Sequence, residues 1–304
     1  MYLNDISLLK VMKAVVTIPA FNEEKSIGGV IKKIKRVIST LGYDYKILVV
    51  DDGSTDNTAD ISKKMGAIVY SHPKNYGLAE TFKTEIKKCL ELKADVIVHI
   101  DADGQYLPEE IPKLVKEIKN GYDLILGSRF IGKIEYMPFI KRIGNIAFSK
   151  AVSQIINLKI TDAQTGFRAF TKEIAESVPI ISNHTYTQEQ VIRAVKQKFR
   201  IKEVPIYFKK RNGKSKLIRN PFEYAIKAWI NIIRTYRDYE PLKFFGISGS
   251  FVFLIGFLIG LYLIYLHFTS GIVGHFALIM LDILILSIGL QVIIFGFLAD
   301  MNRR

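Results

Sequence analysis

Over the first 130 residues, short apolar and β-branched runs alternate with stretches of helical periodicity, the pattern of a parallel sheet covered by helices on both faces. Residues 14–19, 46–50, 67–70, 95–100 and 123–126 predict strands, and 26–41, 58–65, 78–92 and 108–119 predict helices. The last helix opens with Pro108 at a first-turn position and acids just behind it. In such sheets ligands bind beyond the carboxyl ends of the strands. The polar clusters fall at those ends: Asn22, Glu23 and Glu24 after the first strand, residues 51–54 after the second, 101–105 after the fourth, and Gly127, Ser128 and Arg129 after the fifth.

The periodicity then changes. Residues 138–158 place Ile140, Ile143, Ala147, Ala151 and Ile155 on one helical stripe, and a second stripe over 220–243 carries Phe222, Ala225, Ile226, Trp229, Ile232, Ile233 and Tyr236. Each stripe fits a core-facing helix or an amphipathic helix lying in a membrane interface. The second runs directly into residues 244–268, which hold no charge, and 276–299 follows with Asp282 as its only charge. Each run exceeds the roughly 20 apolar residues that cross a bilayer, which predicts a two-helix transmembrane hairpin joined by a short link and followed by a tail, 300–304. An acid inside the second span is costly unless protonated or paired, so Asp282 is expected to face the other helix or another subunit, with no catalytic role.

Composition agrees with such a split. The chain has 304 residues, a formal charge of +14, 49% hydrophobic residues and 24% charged ones, too apolar and aromatic for a disordered polymer. Its mean hydropathy of +0.18 is accounted for by the C-terminal runs. Arg237 and Lys243 precede the first span, Arg303 and Arg304 follow the second, and the link has no Lys or Arg, so both termini and residues 13–219 are expected on the cytoplasmic side. The N-terminus lacks the pattern of a signal peptide, and residues 1–12 read as an extension in which Met12 is an alternative start. A lone Cys89 permits no internal disulfide and fits a reducing compartment. The sequon Asn183-His184-Thr185 is expected to go unused there.

Asp101, Asp103 and Gln105 alternate as the chain leaves a buried strand, so their oxygens can converge on one point. Two carboxylates there repel unless a cation sits between them, and hard oxygen donors suit Mg²⁺ or Mn²⁺, whose shells are usually completed by substrate phosphates. Asp51 and Asp52 form a second acidic strand end, suited to hydrogen bonding a ribose or a base. Gly53 permits a positive φ, and Ser54 or Asp56 can cap the helix that follows. Between Arg193 and Arg219, eleven Lys/Arg face one acid, Glu203, so 27 residues carry +10 of the total charge. No nucleic-acid-binding module accompanies this patch. Just before the membrane, a phosphate-bearing or anionic lipid is its natural partner.

Six segments in order, 18–24, 50–56, 75–78, 101–105, 127–129 and 162–168, resemble the family 2 glycosyltransferases of GT-A fold, and within them most resemble the dolichyl-phosphate mannose synthases and related polyprenyl-phosphate glycosyltransferases. The resemblance covers roughly residues 13–219. It implies an α/β fold with a Rossmann-like, mostly parallel sheet and helices on both faces. It implies a nucleotide-sugar site built from Pro19, Phe21, Glu23, Asp51, Asp52, Asp101, Ala102 and Asp103, with the divalent metal on Asp101, Asp103 and Gln105. Phe21 stands where relatives often have tyrosine, which keeps stacking and loses a hydroxyl. The acceptor phosphate is implied to be gripped by Arg129, Arg142 and Arg211, with Ser215 and Lys216, and the catalytic roles fall to Asp103, Arg129 and Arg211.

A phosphate monoester has a second pKa near 6, so such an acceptor is already largely anionic and needs little help from a general base. The expected reaction is inverting transfer of a hexose to polyprenyl phosphate, with GDP-mannose as first-choice donor and UDP-glucose as the competitor. Glu189 could contact sugar hydroxyls, act as a base or cap its helix. Transfer to a saccharide predicts a dedicated base and a translocating channel, for which two spans are too few. A lipid-binding scaffold leaves the strand-end acids unexplained.

Overall fold

A computed structural model describes residues 12–40, 42, 44–183, 185–210, 221–270 and 276–302. The chain forms two compact units, Met1–Ile232 and Ile233–Arg304.

The first unit is built on a seven-stranded sheet. Its strands are β1 (Lys13–Ala20), β2 (Asp44–Asp51), β3 (Ile68–Ser71), β4 (Val96–His99), β5 (Leu124–Ile134), β6 (Arg168–Thr171) and β7 (Ile201–Phe208), in the spatial order β3-β2-β1-β4-β6-β5-β7. All neighbours are parallel except β6, which runs antiparallel to both β4 and β5. The interleaved helices are α1 (Ile27–Ile38), α2 (Thr58–Lys64), α3 (Leu78–Glu91), α4 (Ile111–Lys119), α5 (Phe139–Ile156), α6 (Lys172–Ser177) and α7 (Thr187–Lys196), with a 3₁₀ turn at Pro108–Glu110. The sheet is mostly parallel and covered on both faces, as the alternating pattern predicts.

Strand alternation divides the core into two layers. Val16 and Ile18 of β1 pack with Ile27, Val30, Ile31, Ile34 and Ile38 of α1 and Leu114 and Val115 of α4. Val15 points the other way, towards Phe82 of α3, Phe148 and Val152 of α5, and Val191 and Ile192 of α7. α1 reads i, i+3, i+4, i+7 and i+11 in isoleucine and valine, so one continuous stripe is removed from water. Burying each such side chain favours folding by about 1.5–3 kcal/mol.

α5 departs from the predicted stripe. Its buried face is Asn145, Phe148, Ser149, Val152 and Ile156, whereas Phe139, Ile140, Ile143 and Ile146 are exposed, Ile140 at 85%. The helix thus has two apolar faces, and the one packed in the core is not the one the periodicity singled out. α8 (Pro221–Tyr239) carries Ile226, Trp229 and Ile230 exposed and Ile232 buried, with the Trp229 ring 5.0 Å from that of Phe148.

The second unit contains α9 (Pro241–Ser270) and α10 (Phe276–Met301), both long and apolar enough to cross a membrane. α9 begins three residues earlier than the uncharged run, because Pro241 is tolerated in a first helical turn. Glycines bring the two helices together: a Cβ on Gly289 would lie 2.6 Å from the Phe253 nitrogen, and one on Gly249 2.8 Å from the Gly289 carbonyl. Asp282 is buried and faces Gly260, and among the described residues its Oδ1 has no hydrogen-bond partner.

Candidate active site

The carboxyl ends of β1, β2 and β4 open on a cleft lined by Pro19, Ala20, Phe21, Glu23, Asp52, Asp101, Ala102 and Asp103, with Leu78 and Thr81 of α3. Leu78 and Thr81 are the lining residues that the motifs did not assign. Leu78 ends the 75–78 segment, and Thr81 follows it by less than one helical turn.

The loops around the cleft are stitched to one another. Asn22 adopts a left-handed conformation (φ 55°), which lets its backbone N–H donate to Ser54 Oγ at 2.8 Å while its Oδ1 accepts from Thr55 N at 2.8 Å. Glu23 N donates to Thr58 Oγ1 at 2.8 Å, and the Glu23 carboxylate accepts the Ser26 hydroxyl at 2.8 Å. Gly53, at φ +70°, packs so tightly under the next loop that a Cβ would stand 2.4 Å from the Lys74 carbonyl carbon.

Asp51 and Asp52 differ in their surroundings. Asp51 is buried and Oδ1 accepts Ser54 N at 3.1 Å. Asp52 Oδ1 accepts Tyr76 N at 2.9 Å and lies 2.8 Å from His72 Nδ1, while Oδ2 accepts Gly77 N at 2.9 Å. Asp52 therefore anchors the 72–77 loop, which leads into Leu78 at the cleft. His72 is held from its other nitrogen by Thr84 Oγ1 at 2.9 Å.

Asp101 and Asp103 line the same cleft, with the Asp101 side chain about one-third exposed. Asp103 Oδ1 accepts Gln105 N at 2.9 Å, a short turn that Gly104 permits at φ +73°. The Gln105 amide nitrogen donates to the Lys209 carbonyl at 2.9 Å, which ties the acidic turn to the end of β7. Gly166 lies against Asp101: a Cβ there would be 2.9 Å from Oδ2 and 3.0 Å from Oδ1. Gly166 N is in turn held by Tyr106 Oη at 3.1 Å, and burial pushes the Tyr106 phenol up to about 12. The donor set fits a hard divalent ion, since two carboxylates with oxygen ligands share one open wall. No group of three or more His, Cys, Asp or Glu side chains able to hold a metal converges among the described residues, so water or phosphate oxygens would complete such a shell.

The residues assigned to the acceptor lie apart. Arg129 is buried and makes a bidentate pair with Asp162, Nε to Oδ2 at 2.6 Å and Nη2 to Oδ1 at 2.7 Å. Although burial opposes its charge, the bidentate pairing with Asp162 holds that guanidinium above its ordinary value. At least two of its five N–H donors are thus directed at Asp162. Arg142 is exposed in the first turn of α5. Arg211, Ser215 and Lys216 lie outside the described residues.

Glu189 is not open to a ligand. It is buried at 1% exposure and accepts Ile181 N and Ser182 N at 3.0 Å each and Arg193 Nε at 2.7 Å. The base and sugar-contact readings of this residue give way to an anchoring one, because its carboxylate fixes the loop before α7.

Residues 15–178 match the family described as glycosyl transferase family 2, more than half of the chain. The chain belongs to that family. This family 2 glycosyltransferase is 35% identical over 208 residues to a dolichyl-phosphate hexose transferase of Haloferax volcanii, covering 68% of the chain and 86% of the relative. It is 32% identical over 281 residues to a dolichol-phosphate mannosyltransferase of Pyrococcus furiosus, covering 88% of the chain and 76% of the relative. Among solved structures, glucosyl-3-phosphoglycerate synthase from Mycobacterium tuberculosis, in complex with Mn²⁺, UDP and glucosyl-3-phosphoglycerate, superposes with a TM-score of 0.57 at 20% identity, over 74% of this chain and 79% of that one. That likeness establishes the GT-A fold.

Proposed function

We propose that the protein transfers a hexose, with inversion at the anomeric carbon, from a nucleotide sugar to a polyprenyl phosphate such as dolichyl phosphate at the cytoplasmic face of a membrane. Mannose from GDP-mannose is the first-choice donor, and the likeness to a dolichol-phosphate mannosyltransferase of Pyrococcus supports the sugar. The observation that carries the reading is the placement of Asp101 and Asp103 in the same cleft as Pro19, Phe21, Glu23 and Asp52, at the strand ends where a nucleotide diphosphate is held.

In this reading Phe21 offers a face to the base, Asp51 and Asp52 shape the nucleoside pocket, and Asp101, Asp103 and Gln105 hold Mg²⁺ or Mn²⁺. A bound ion supplies Lewis-acid neutralisation of the departing diphosphate. Arg142, Arg211, Ser215 and Lys216 grip the acceptor phosphate. Arg129 helps through the N–H groups turned away from Asp162, orienting the incoming oxygen for in-line attack. The engagement of Glu189 by two backbone amides and Arg193 favours an acceptor that arrives already ionised over a sugar hydroxyl that needs deprotonation. The apolar helices α9 and α10 are long enough to cross a membrane, and the exposed apolar stripe of α5 suits a membrane interface, each in keeping with a lipid substrate.

Purified full-length protein is incubated with polyprenyl phosphate and either radiolabelled GDP-mannose or UDP-glucose. A labelled lipid from GDP-mannose, lost with EDTA and in Asp103→Ala, is the expected result. Product from UDP-glucose alone moves the donor to that sugar, and no lipid product from any nucleotide sugar overturns the proposal.

A further inference from the structure

Beneath Asp101 lies a group of polar side chains that the reaction as described leaves unused. Thr17 of β1, Glu85 of α3 and His99 of β4 are fully buried, and Tyr186, at the start of α7, is 1% exposed. Thr17 Oγ1 donates to Glu85 Oε1 at 2.9 Å. Glu85 Oε2 stands 3.1 Å from His99 Nδ1, within ion-pair range but off the line of a straight hydrogen bond. His99 Nε2 meets Tyr186 Oη at 2.7 Å and lies 3.7 Å from Asp101 Oδ1. Phe82 stacks on Tyr186 with centroids 3.7 Å apart and planes 7° from parallel, closing the group off on that side.

Glu85 faces one nitrogen of the His99 imidazole, and the other nitrogen faces both Tyr186 and one oxygen of Asp101. Stability alone is a poor account of such a buried polar unit, because replacing buried paired groups by apolar ones is often neutral or stabilising. The chain of contacts runs from β1 through α3 and β4 and ends at the partly exposed carboxylate. Gly166 lies close to the same carboxylate.

We propose that Glu85 and His99, braced by Thr17 and Tyr186, are positioning residues that hold the Asp101 carboxylate in the orientation that receives a divalent ion. The inference rests on the reading of Asp101 as a metal ligand. Groups behind a metal ligand typically change affinity by about 10–100-fold when removed, and that range is expected here.

The test measures Mn²⁺ binding by electron paramagnetic resonance on full-length protein in detergent, with GDP or UDP present, alongside thermal melting. His99→Leu is expected to weaken Mn²⁺ binding by about 10–100-fold while the melting temperature holds or rises. His99→Gln, whose carboxamide can place an N–H near the Nε2 position, is expected to recover most of the affinity. Glu85→Gln, isosteric and remote from the ion, is expected to weaken binding as well, and it stands in if His99→Leu does not fold. Wild-type Mn²⁺ affinity in His99→Leu, or in Glu85→Gln if the leucine variant fails to fold, overturns the proposal whatever happens to melting. A wild-type protein that binds neither nucleotide nor Mn²⁺ overturns the metal reading itself, an outcome distinct from unchanged variants.

Discussion

Replacing Gly166 by alanine tests the geometry of Asp101 with one added methyl group. The φ of Gly166 lies outside the left-handed region, so alanine brings no backbone strain. Its Cβ would stand 2.9 Å from Asp101 Oδ2 and 3.2 Å from Cγ, where ordinary contact begins near 3.4 Å, so the carboxylate must retreat by 3.4 − 2.9 = 0.5 Å. It can do so at little cost to folding, because the Asp101 side chain is one-third exposed and opens on the cleft. Gly-to-Ala substitution at a compatible φ stabilises by about 0.4–1 kcal/mol through the unfolded chain, which offsets part of the push. Stability is therefore expected to stay within about 1 kcal/mol, a shift in melting temperature of about 2–4 °C. Catalysis is more sensitive: a misplacement of about 1 Å can cost about 100-fold, so half that distance predicts a loss of about tenfold in kcat/KM. The assay compares transfer rates and Mn²⁺ titrations of variant and parent, with melting as control. Parental kcat/KM and Mn²⁺ affinity in Gly166→Ala would refute this account of how the metal wall is shaped.

Asp162→Ala leaves the buried Arg129 guanidinium without its bidentate partner, and a loss of about 3–5 kcal/mol is expected by chemical denaturation of the full chain. An unchanged denaturation midpoint would show that water reaches this pair. Gly53→Ala combines a φ of +70° with a Cβ 2.4 Å from the Lys74 backbone, which cannot swing aside as a side chain does. It is expected to lose about 1–3 kcal/mol and to displace the 72–77 loop, read as weakened binding of GDP or UDP. Parental nucleotide affinity in that variant would separate the loop from the nucleoside pocket.

The donor half of the site was legible in the sequence because it stands on parallel strands that end in conspicuous polar turns. β1, β2 and β4 each deliver acids to the same end of the sheet, where the polar turns at 22–24, 51–54 and 101–105 stand out in the sequence. The assignment of Pro19, Phe21, Glu23, Asp51 and Asp52 to a nucleotide rests on the family resemblance. β6 and β7 were harder. β6 is four residues long, and β7 mixes Lys202 and Glu203 with Pro205 at a sheet edge, where proline is tolerated and alternation carries little signal. For α5 the sequence left open whether the 140–155 stripe faces the core or an interface, because both faces of the helix are apolar; the structure buries the other face. Glu85 sits in a helix rich in charge, LAETFKTEIKKCLE, where an acid reads as solvated until the fold shows Thr17 and His99 above it. Likewise nothing near Glu189 in the chain announces that the 181–182 amides will claim its carboxylate.

The single reversed strand has a consequence for how this enzyme can vary. Because β6 points against its neighbours, the segment entering it arrives at the edge where the others depart, and Arg168 sits beside His99 and Leu126. Gly166, on the segment entering β6, thus comes to lie against Asp101. Insertions that lengthen the approach to Arg168 would disturb that end of the sheet, and the loop between α6 and α7 is pinned as well, since the Ile181 and Ser182 amides are held by Glu189. Lineages of this architecture have little room to elaborate on either side of that short ribbon.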